Sequence, residues 1–322
     1  MKRSLLITAA ALSLVVFLSF SVLAKYPEKP IKIIVPFKPG GMSTQVVTMV
    51  KKVFMANPDF LGAPLAVIHV PGAAGSIGAR RVMNAEPDGY EFLQIHLALM
   101  SRQAAGLVDF GYKDFEPVVQ GVGTCIVPVV FETSPYQTLA ALLDAAKQKP
   151  DSIIFGVNLG ALNHMSGITL QNSSPGSKFR FVQAGAGNAV FVALKGKHID
   201  ASIFSIGVYK KFKPGGAKGL ALMAEERYPG LPELPTCKEL GYDATFCFEN
   251  WWFAPKGTPQ YAIDHFADAL EKALDTEEAK EFLKTGGFIR SYSRGEALKK
   301  HLDDVWSKIE PVAKQVKDAK KK

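Results

Sequence analysis

The stretch IKIIVPFKPGG, residues 31–41, decides the fold of this chain. Its first six residues are apolar except for Lys32, and most are β-branched, so they predict a buried strand over 31–36. Gly40 and Gly41 follow, and a helical pattern then begins. Adjacent glycines let a backbone approach a ligand closely or adopt a positive φ. The order strand, glycine loop and helix indicates the start of an α/β domain.

The alternation of short apolar runs and helical patterns continues to the end of the chain. Strands are predicted over 31–36, 65–69, 91–96, 126–131, 153–156, 180–182, 201–204, 219–223 and 248–254. Helices are predicted over 45–57, 76–85, 138–149, 163–171, 186–195, 259–275, 277–285 and 294–319. This rhythm indicates an α/β fold with mostly parallel sheets. Ligands in such sheets bind beyond the carboxyl ends of the strands, so the loops after the strands are the first candidates for a site.

The first 24 residues have the pattern of an export signal. Lys2 and Arg3 give a positive start, an apolar stretch runs to Leu23, and Ala24 is a small residue where a signal peptidase would cut. The sequence therefore predicts a signal peptide over 1–24 and a periplasmic protein. The apolar stretch is longer than the usual core of a signal, about 7–15 residues, so an uncleaved membrane anchor is the alternative.

The charge of the chain favours a small anionic solute as partner and not a nucleic acid. The formal net charge is +8, and part of it lies in five lysines between residues 314 and 322, a pattern typical of a solvated helix end. No basic patch with interleaved aromatic residues and no zinc-finger spacing occurs, so no nucleic acid is expected as a partner. A mildly positive body suits an anionic solute.

Three cysteines, Cys125, Cys237 and Cys247, leave two interpretations open. The odd count argues against a disulfide framework, and the cysteines are then small buried residues. In an oxidising compartment, Cys237 and Cys247 could instead form a disulfide. No C-x-x-C occurs, so neither a zinc site nor thioredoxin chemistry is indicated.

Catalytic and cofactor motifs are missing from the sequence. There is no G-x-x-x-x-G-K-[ST], no H-E-x-x-H and no G-x-S-x-G, and the glycines of 71–78 lack the order of a dinucleotide site. We therefore predict no catalytic residue, no metal and no cofactor. The loop 39–44 is either a ligand loop or a plain turn with Ser43 or Thr44 as the helix cap. His164, at another helix start, either donates to an anion or is structural.

Taken in order, these segments resemble the substrate-binding proteins of tripartite tricarboxylate transporters, the exported bacterial receptors often called Bug proteins. Each motif is short, but their order extends over essentially the whole mature chain. The matching motifs are Tyr26-Pro27-x-Lys29-Pro30-Ile31, Ile34-Val35-Pro36-Phe37-x-Pro39-Gly40-Gly41, Pro71-Gly72-Ala73-x-Gly75-x-Ile77-Gly78-Ala79, Pro87-Asp88-Gly89-Tyr90, Gly160 through His164, Leu234-Pro235-Thr236-x-x-Glu239-Leu240-Gly241-Tyr242 and Trp252-x-x-Ala254-Pro255-x-Gly257-Thr258-Pro259.

The resemblance implies an α/β protein with the type II periplasmic-binding-protein fold, in which two lobes enclose a ligand cleft and two hinge crossings join them. The extended apolar segment 117–128 and the region 246–252 are candidates for the crossings. We expect the crossings near 123–128 and 246–250. Lobe 1 would then comprise 25–125 plus 248–322, and lobe 2 would comprise 126–247.

The resemblance also implies a small organic carboxylate as ligand, held largely by backbone N–H groups and water between the first-strand loop and the loops of lobe 2. The chain departs from the usual family motifs at three points, where it has Thr44 in place of Asp, Val70 in place of Arg, and Gln183-Ala184-Gly185 in place of Tyr-Lys-Gly. The predicted ligand-binding residues are Phe37, Gly40, Gly41, Met42, Ser43, Thr44, Gly160, Ala161, Asn163, His164, Gln183, Gly185, Gly187, Phe204 and Ser205.

On this basis the expected function is that of an extracytoplasmic solute receptor. It would act as a monomer, bind a small organic anion and deliver it to the membrane subunits of a tripartite transporter. One alternative is a receptor that reports its ligand to a two-component sensor kinase. Another is an exported α/β enzyme, which would need a nucleophile and a base within hydrogen-bond reach in the cleft.

Overall fold

The computed structural model describes residues 26–185 and 187–319. The predicted export signal over 1–24 lies outside the described residues. Within those ranges, none of the helices combines the length and the apolar character that crossing a bilayer requires.

The described chain contains ten strands and ten α-helices, one strand and two helices more than the sequence predicts. The strands are β1 (Ile31–Val35), β2 (Leu65–His69), β3 (Glu91–Ile95), β4 (Phe115–Phe131), β5 (Ile153–Val157), β6 (Phe179–Gln183), β7 (Ser202–Ser205), β8 (Ala217–Gly219), β9 (Cys247–Pro255) and β10 (Ile289–Ser293). The helices are α1 (Met42–Ala56), α2 (Ser76–Met83), α3 (Ala98–Ala104), α4 (Leu139–Gln148), α5 (Leu162–Asn172), α6 (Asn188–Lys195), α7 (Ile206–Phe212), α8 (Gln260–Leu274), α9 (Glu277–Gly286) and α10 (Gly295–Ala319).

Lobe 1 is built on strands in the order β10-β4-β9-β3-β1-β2. β1 pairs in parallel with both β2 and β3, whereas β9 is antiparallel to β3 and to β4. The side chains of Ile33, Val35 and Phe92 are fully buried on one face of this sheet, and those of Ile34 and Leu93 are fully buried on the other. The three parallel strands therefore end at one edge of a sheet whose faces are covered on both sides.

Lobe 2 is built on strands in the order β6-β5-β7-β4-β8. β5 and β6 pair in parallel, and a single parallel bridge between Phe155 and Ala201 brings β7 beside β5. The Ser202 hydroxyl strengthens this junction by donating to the Gly156 carbonyl oxygen at 2.6 Å. The second half of β4 is antiparallel to β7 and β8. The carboxyl ends of β5, β6 and β7 thus share one edge of this second sheet.

The strand β4 belongs to both sheets and forms one of the two crossings. Up to Cys125 it pairs with β9, and from Ile126 it pairs with β7. The chain returns to the first sheet at Cys247, where β9 begins. We propose that the lobe boundary lies at these two positions, which correspond to the lobes 25–125 plus 248–322 and 126–247.

A disulfide joins the two crossings, and it corrects the sequence-based interpretation of the cysteines. Cys125 and Cys247 are register partners on β4 and β9, and their sulfur atoms are 2.00 Å apart. Of the two interpretations that the sequence left open, the pairing of Cys237 with Cys247 is wrong, because strand register places Cys125 opposite Cys247, and the interpretation as small buried residues holds for Cys237 alone. The Cys237 thiol is fully buried, and desolvation raises its pKa to about 12. The three cysteines therefore divide into one disulfide and one buried thiol.

The C-terminal helix α10 packs on α3 in lobe 1 and on α5 in lobe 2. Leu298, Leu302, Ile309 and Ala313 form its buried stripe, at intervals of four and seven residues that keep them on one helix face. The Asn172 amide of α5 donates to the Gln315 side-chain oxygen of α10 at 3.1 Å. One helix therefore contacts both lobes and closes one side of the space between them.

Candidate functional site

The loops that follow β1, β2, β3 and β5 meet at one cavity of about 170 Å³. Phe37, Ala74 and His96 line it from the carboxyl ends of the three parallel strands of lobe 1. Gly160 and Ala161 line it from the loop after β5 in lobe 2. The cavity thus lies between the lobes, at the strand edges where an α/β sheet binds ligands.

The remaining wall of the cavity comes from three helices and carries one charged side chain. Arg102 of α3 is the only charged residue among those that line the cavity in the described part of the chain. The other lining residues are small or apolar apart from Ser101, and they are Ala98, Ala105, Leu107, Leu162, Met165, Ala313 and Val316. The cavity is therefore free of carboxylates and mildly positive.

Gly40 and Gly41 lead into α1, whose first turn contains Met42, Ser43 and Thr44, and the start of that helix has no side-chain cap. Gly41 is the N-cap residue, with extended backbone angles (φ −82°, ψ −179°) that any residue adopts, and a Cβ built there meets no atom within 4 Å. The hydroxyl groups of Ser43 and Thr44 are buried and have no hydrogen-bond partner among the described residues. Buried hydroxyl groups are rarely left unpaired, so both of these groups lack a hydrogen-bond partner that a folded protein normally supplies.

Three helices of lobe 2 also begin without a side-chain cap. Their N-cap residues are Ala161 for α5, Gly187 for α6 and Ser205 for α7, and no acidic residue lies in the first turn of any of them. Thr138 caps α4 and Thr276 caps α9, whereas α2, α3 and α8 share the uncapped start. An uncapped start leaves backbone N–H groups without an intrahelical partner and carries a partial positive charge. These helix starts are therefore suited to an anion.

Two side chains hold the lobe-2 loops together. The Gln183 amide accepts from the Leu159 N–H at 2.9 Å and donates to Asn158 Oδ1 at 3.1 Å. The Asn163 amide donates to the Gly185 carbonyl oxygen at 3.0 Å and accepts from the Asn158 N–H at 3.2 Å. Both residues thus act on the shape of the loops, which in turn sets the direction of the backbone N–H groups.

His164 is 5% exposed and has a structural contact at the start of α5. The Gly160 N–H donates to its Nδ1 at 3.1 Å, and its ring packs edge-on against Phe181. Of the two roles open from the sequence, the geometry at Nδ1 fits the structural one, because that nitrogen accepts a hydrogen bond within the loop.

His96 and Phe37 form a stacked pair on the lobe-1 wall of the cavity. Their rings are 4.6 Å apart and nearly parallel, and the Ala98 N–H donates to His96 Nδ1 at 3.2 Å. Desolvation by burial lowers the pKa of His96 to about 4. The imidazole is therefore neutral near pH 7 and presents a flat, uncharged surface to the cavity.

The structure distributes the sequence-predicted site residues over three settings. Phe37, Gly160 and Ala161 line the cavity together. Phe204, only 3% exposed, packs against Phe212 inside lobe 2. The remaining residues lie at helix starts or in the loops that support them, and they are Gly40, Gly41, Met42, Ser43, Thr44, Asn163, His164, Gln183, Gly185, Gly187 and Ser205.

Sequence reasoning missed eleven of the fourteen residues that line the cavity, among them Ala74, His96 and Arg102. All three follow β2 or β3, the parallel neighbours of β1. The available signal was the strand order itself, since the loops after adjacent parallel strands share one edge of a sheet.

A larger cavity of about 570 Å³ lies beside the two crossings, between residues 224–229 of lobe 2 and α10. Its lining carries four carboxylates, Glu225, Glu226, Glu249 and Asp304, against the basic groups of Arg227, His301 and Lys308. Glu249 binds His301 at 2.5 Å and raises the pKa of that imidazole, and Lys308 lies 3.8 Å from Glu225. This cavity is therefore less suited to an anion than the one between the strand edges.

The chain resembles known proteins over most of its length. Residues 50–317 match the family model for the tripartite tricarboxylate transporter family receptor. Protein BugT of Bordetella pertussis is 31% identical over 270 residues, which cover 81% of each protein.

Solved structures share the fold. A TctC solute-binding protein from Polaromonas, determined without ligand, has a TM-score of 0.79 at 28% identity, and the match covers 90% of this chain and 99% of that one. MatC from Rhodopseudomonas palustris, determined with bound malate, has a TM-score of 0.70 at 23% identity. The match covers 89% of this chain and 100% of MatC. At 23% identity, the likeness to MatC concerns the fold alone.

Proposed function

Because the chain belongs to the tripartite tricarboxylate transporter receptor family, we propose that it is a periplasmic receptor that binds a small organic carboxylate and delivers it to the membrane subunits of such a transporter. The prediction of this family from the sequence motifs is confirmed, and so is the predicted two-lobed α/β fold of a type II periplasmic binding protein. We further propose that the receptor is exported by residues 1–24 and works as a monomer.

The observation that carries the proposal is the set of uncapped helix starts, α1 in lobe 1 and α5, α6 and α7 in lobe 2. Each offers backbone N–H groups and a partial positive charge, and none has an acidic residue in its first turn. A carboxylate between them meets donors without nearby repulsion. The start of α5 lines the mildly positive, carboxylate-free cavity, and this supports the same ligand class.

The proposed binding residues are those predicted from the sequence except Phe204, which is buried inside lobe 2, with residues 40–44 facing the lobe-2 loops at 160–164 and 183–187 and Ser205. The buried, unpartnered hydroxyl groups of Ser43 and Thr44 support this assignment, because a bound anion or an ordered water would supply the missing partner.

The ligand class is tested by a thermal-shift screen followed by titration calorimetry. The panel contains aliphatic monocarboxylates, dicarboxylates and tricarboxylates, with the corresponding amides and amines as neutral and cationic analogues. A ligand at 100 times its dissociation constant raises the unfolding free energy by about 2.7 kcal/mol, which a thermal shift detects. We expect stabilisation by carboxylates and none by their amides. A preference for the amides or amines, or no response to any acid, would refute the proposal.

The position of the ligand is tested by Gly41→Val. The backbone angles of Gly41 accept any residue and the space around its Cβ is empty, so the variant should fold with unchanged stability. Its side chain occupies the space next to the first N–H groups of α1, so we expect at least a tenfold loss of affinity, roughly 1.4 kcal/mol. Ala56→Val, at the exposed far end of the same helix, is the matched control. Equal affinities in both variants would place the ligand elsewhere.

A further inference from the structure

We propose that Arg102 determines the specificity of the receptor for dicarboxylates, by binding the second carboxylate of a ligand whose first carboxylate lies at the uncapped start of α5. This inference rests on the proposed function and narrows its ligand class. It assigns a role to a residue outside the loops that the sequence motifs single out.

Arg102 differs from the other arginines of the described chain in its surroundings. Five of them form ion pairs with a carboxylate: Arg80 with Asp109, Arg81 with Glu91, Arg227 with Glu239, Arg290 with Asp275 and Arg294 with Asp268. Arg102 is partly buried in the cavity wall, and within the described residues its guanidinium has neither an ion pair nor a hydrogen bond. Arg180 also lacks a partner, but it lies exposed on β6.

A partly buried guanidinium without a partner is suited to a carboxylate, because its planar fork matches the two oxygens with two parallel hydrogen bonds. The neighbouring groups do not compete for it. The Ser101 hydroxyl donates to the Ala98 carbonyl oxygen at 3.1 Å, and none of the lining residues is acidic. Lys317 adds positive charge at the same end, since its Nζ lies 3.0 Å from the position that a Cβ on Gly106 would take.

The cavity connects Arg102 with the proposed ligand site. Gly160 and Ala161, at the start of α5, line the same cavity as Arg102, as does Phe37 at the end of the first strand. A ligand with one carboxylate at the helix start and a second at the guanidinium would cross a wall of apolar and small side chains. The volume of about 170 Å³ suits a short aliphatic chain between the two charged ends.

A purely structural role makes a different prediction. Arg102 lies in the last turn of α3, where a positive charge also interacts favourably with the helix dipole. Loss of that interaction would destabilise the helix and weaken every ligand to the same extent. Selectivity between ligands of equal length, rather than affinity alone, therefore separates the two roles.

The test measures affinities by titration calorimetry for two matched pairs, butanoate with succinate and hexanoate with adipate. The variant Arg102→Gln removes the charge and keeps a polar side chain, and Arg180→Gln is the matched control. We expect Arg102→Gln to weaken the better-bound diacid by at least about tenfold, the loss of a charge-assisted hydrogen bond. Affinity for the monoacid of equal length should stay within about twofold, by the same conversion of free energy to affinity.

Two further variants test the same inference if Arg102→Gln is unstable. Arg102→Lys keeps the charge without the fork and should retain part of the selectivity. Ala105→Asp places a carboxylate one helical turn beyond Arg102, in reach of its guanidinium, and should reduce diacid binding selectively. Both are accompanied by thermal unfolding curves.

Each outcome decides between the two proposals. An equal loss for monoacid and diacid, or no loss for either, overturns the role of Arg102 and leaves the carboxylate receptor intact. If the wild-type protein binds monoacids as tightly as diacids, the role of Arg102 is likewise overturned and the carboxylate receptor proposal stands. A wild-type protein that binds no acid of the wider panel refutes the receptor proposal itself and this inference with it.

Discussion

Replacing Cys125 and Cys247 by serine should lower the unfolding free energy by about 2–5 kcal/mol. The two cysteines are 122 residues apart in the sequence, and the chain-entropy relation for closing such a loop gives about 4.9 kcal/mol at 25 °C. The native state changes little, because Thr124 and Gly123 still pair with Phe248 and Glu249 on the neighbouring strand. The effect therefore arises mainly in the unfolded chain, which gains freedom when the link is lost.

Urea unfolding followed by tryptophan fluorescence measures this change, since Trp251 and Trp252 are buried on β9 beside the link. The wild-type protein with a reductant is the first comparison, because reduction breaks the bond without changing a residue. Cys237→Ala is the second, because it removes a cysteine that is not bonded. Added reductant should lower the unfolding free energy of the wild type and of Cys237→Ala, which both contain the disulfide. It should leave the double serine variant unchanged.

Thiol titration of the denatured protein gives the sharpest refutation. The structure predicts one reactive thiol, Cys237, before reduction and three afterwards. Three thiols before reduction in protein purified from an oxidising compartment would disprove the link. A loss below about 1 kcal/mol in both the double variant and the reduced wild type would instead refute the chain-entropy reasoning.

Two further predictions concern the site. Thr44→Asp should weaken the binding of acids without an amine by about tenfold, because a carboxylate at the start of α1 repels the ligand; calorimetry on Thr44→Asp and Thr44→Val tests this, and equal affinities would contradict it. His96 has a pKa of about 4 in the folded protein, against about 6.5 unfolded, so the stability it contributes is present at neutral pH and falls by about 3 kcal/mol as pH drops from 6.5 to 4. His96→Gln should therefore lose less stability over that interval in urea unfolding, and parallel pH profiles would count against the shift.

The elements that were predictable from the sequence are those with clear boundaries. β1, β2 and β3 have bounds within one residue of the prediction, because each is a compact apolar run that ends at a proline, a histidine or a glycine-rich loop. The lobe boundary at 125 and 247 stays a proposal, which the sequence suggested through the extended apolar segment 117–128 and the region 246–252. Local pattern sufficed wherever the chain marks the end of an element.

The missed elements lack such marks. α3 begins three residues after β3, and α7 begins directly after β7, so an apolar strand runs into an apolar helix without a glycine or proline between them. β10 has the sequence IRSYS, with too few apolar residues to stand out. Because α3 was not recognised, neither was Arg102, and the positive charge of the cavity was hidden from the sequence.

The pairing of the cysteines was not accessible from the sequence for a different reason. Cys237 and Cys247 are close in the chain, whereas Cys125 and Cys247 are brought together by strand register over a long separation. Register depends on which strands are neighbours, and this is a property of the whole sheet. The same holds for the cavity, whose walls come from both lobes and from α10.

The position of β9 between β3 and β4 sets an order of assembly during synthesis. β3 and β4 are synthesised early, but the strand that separates them in the sheet follows only after the whole of 126–247 has been made. The segment 126–247 is uninterrupted and contains its own strands, so it is free to fold while the first sheet is still incomplete. The lobe whose synthesis starts first is therefore the lobe that finishes folding last, and a chain cut before Cys247 lacks the central strand of that lobe.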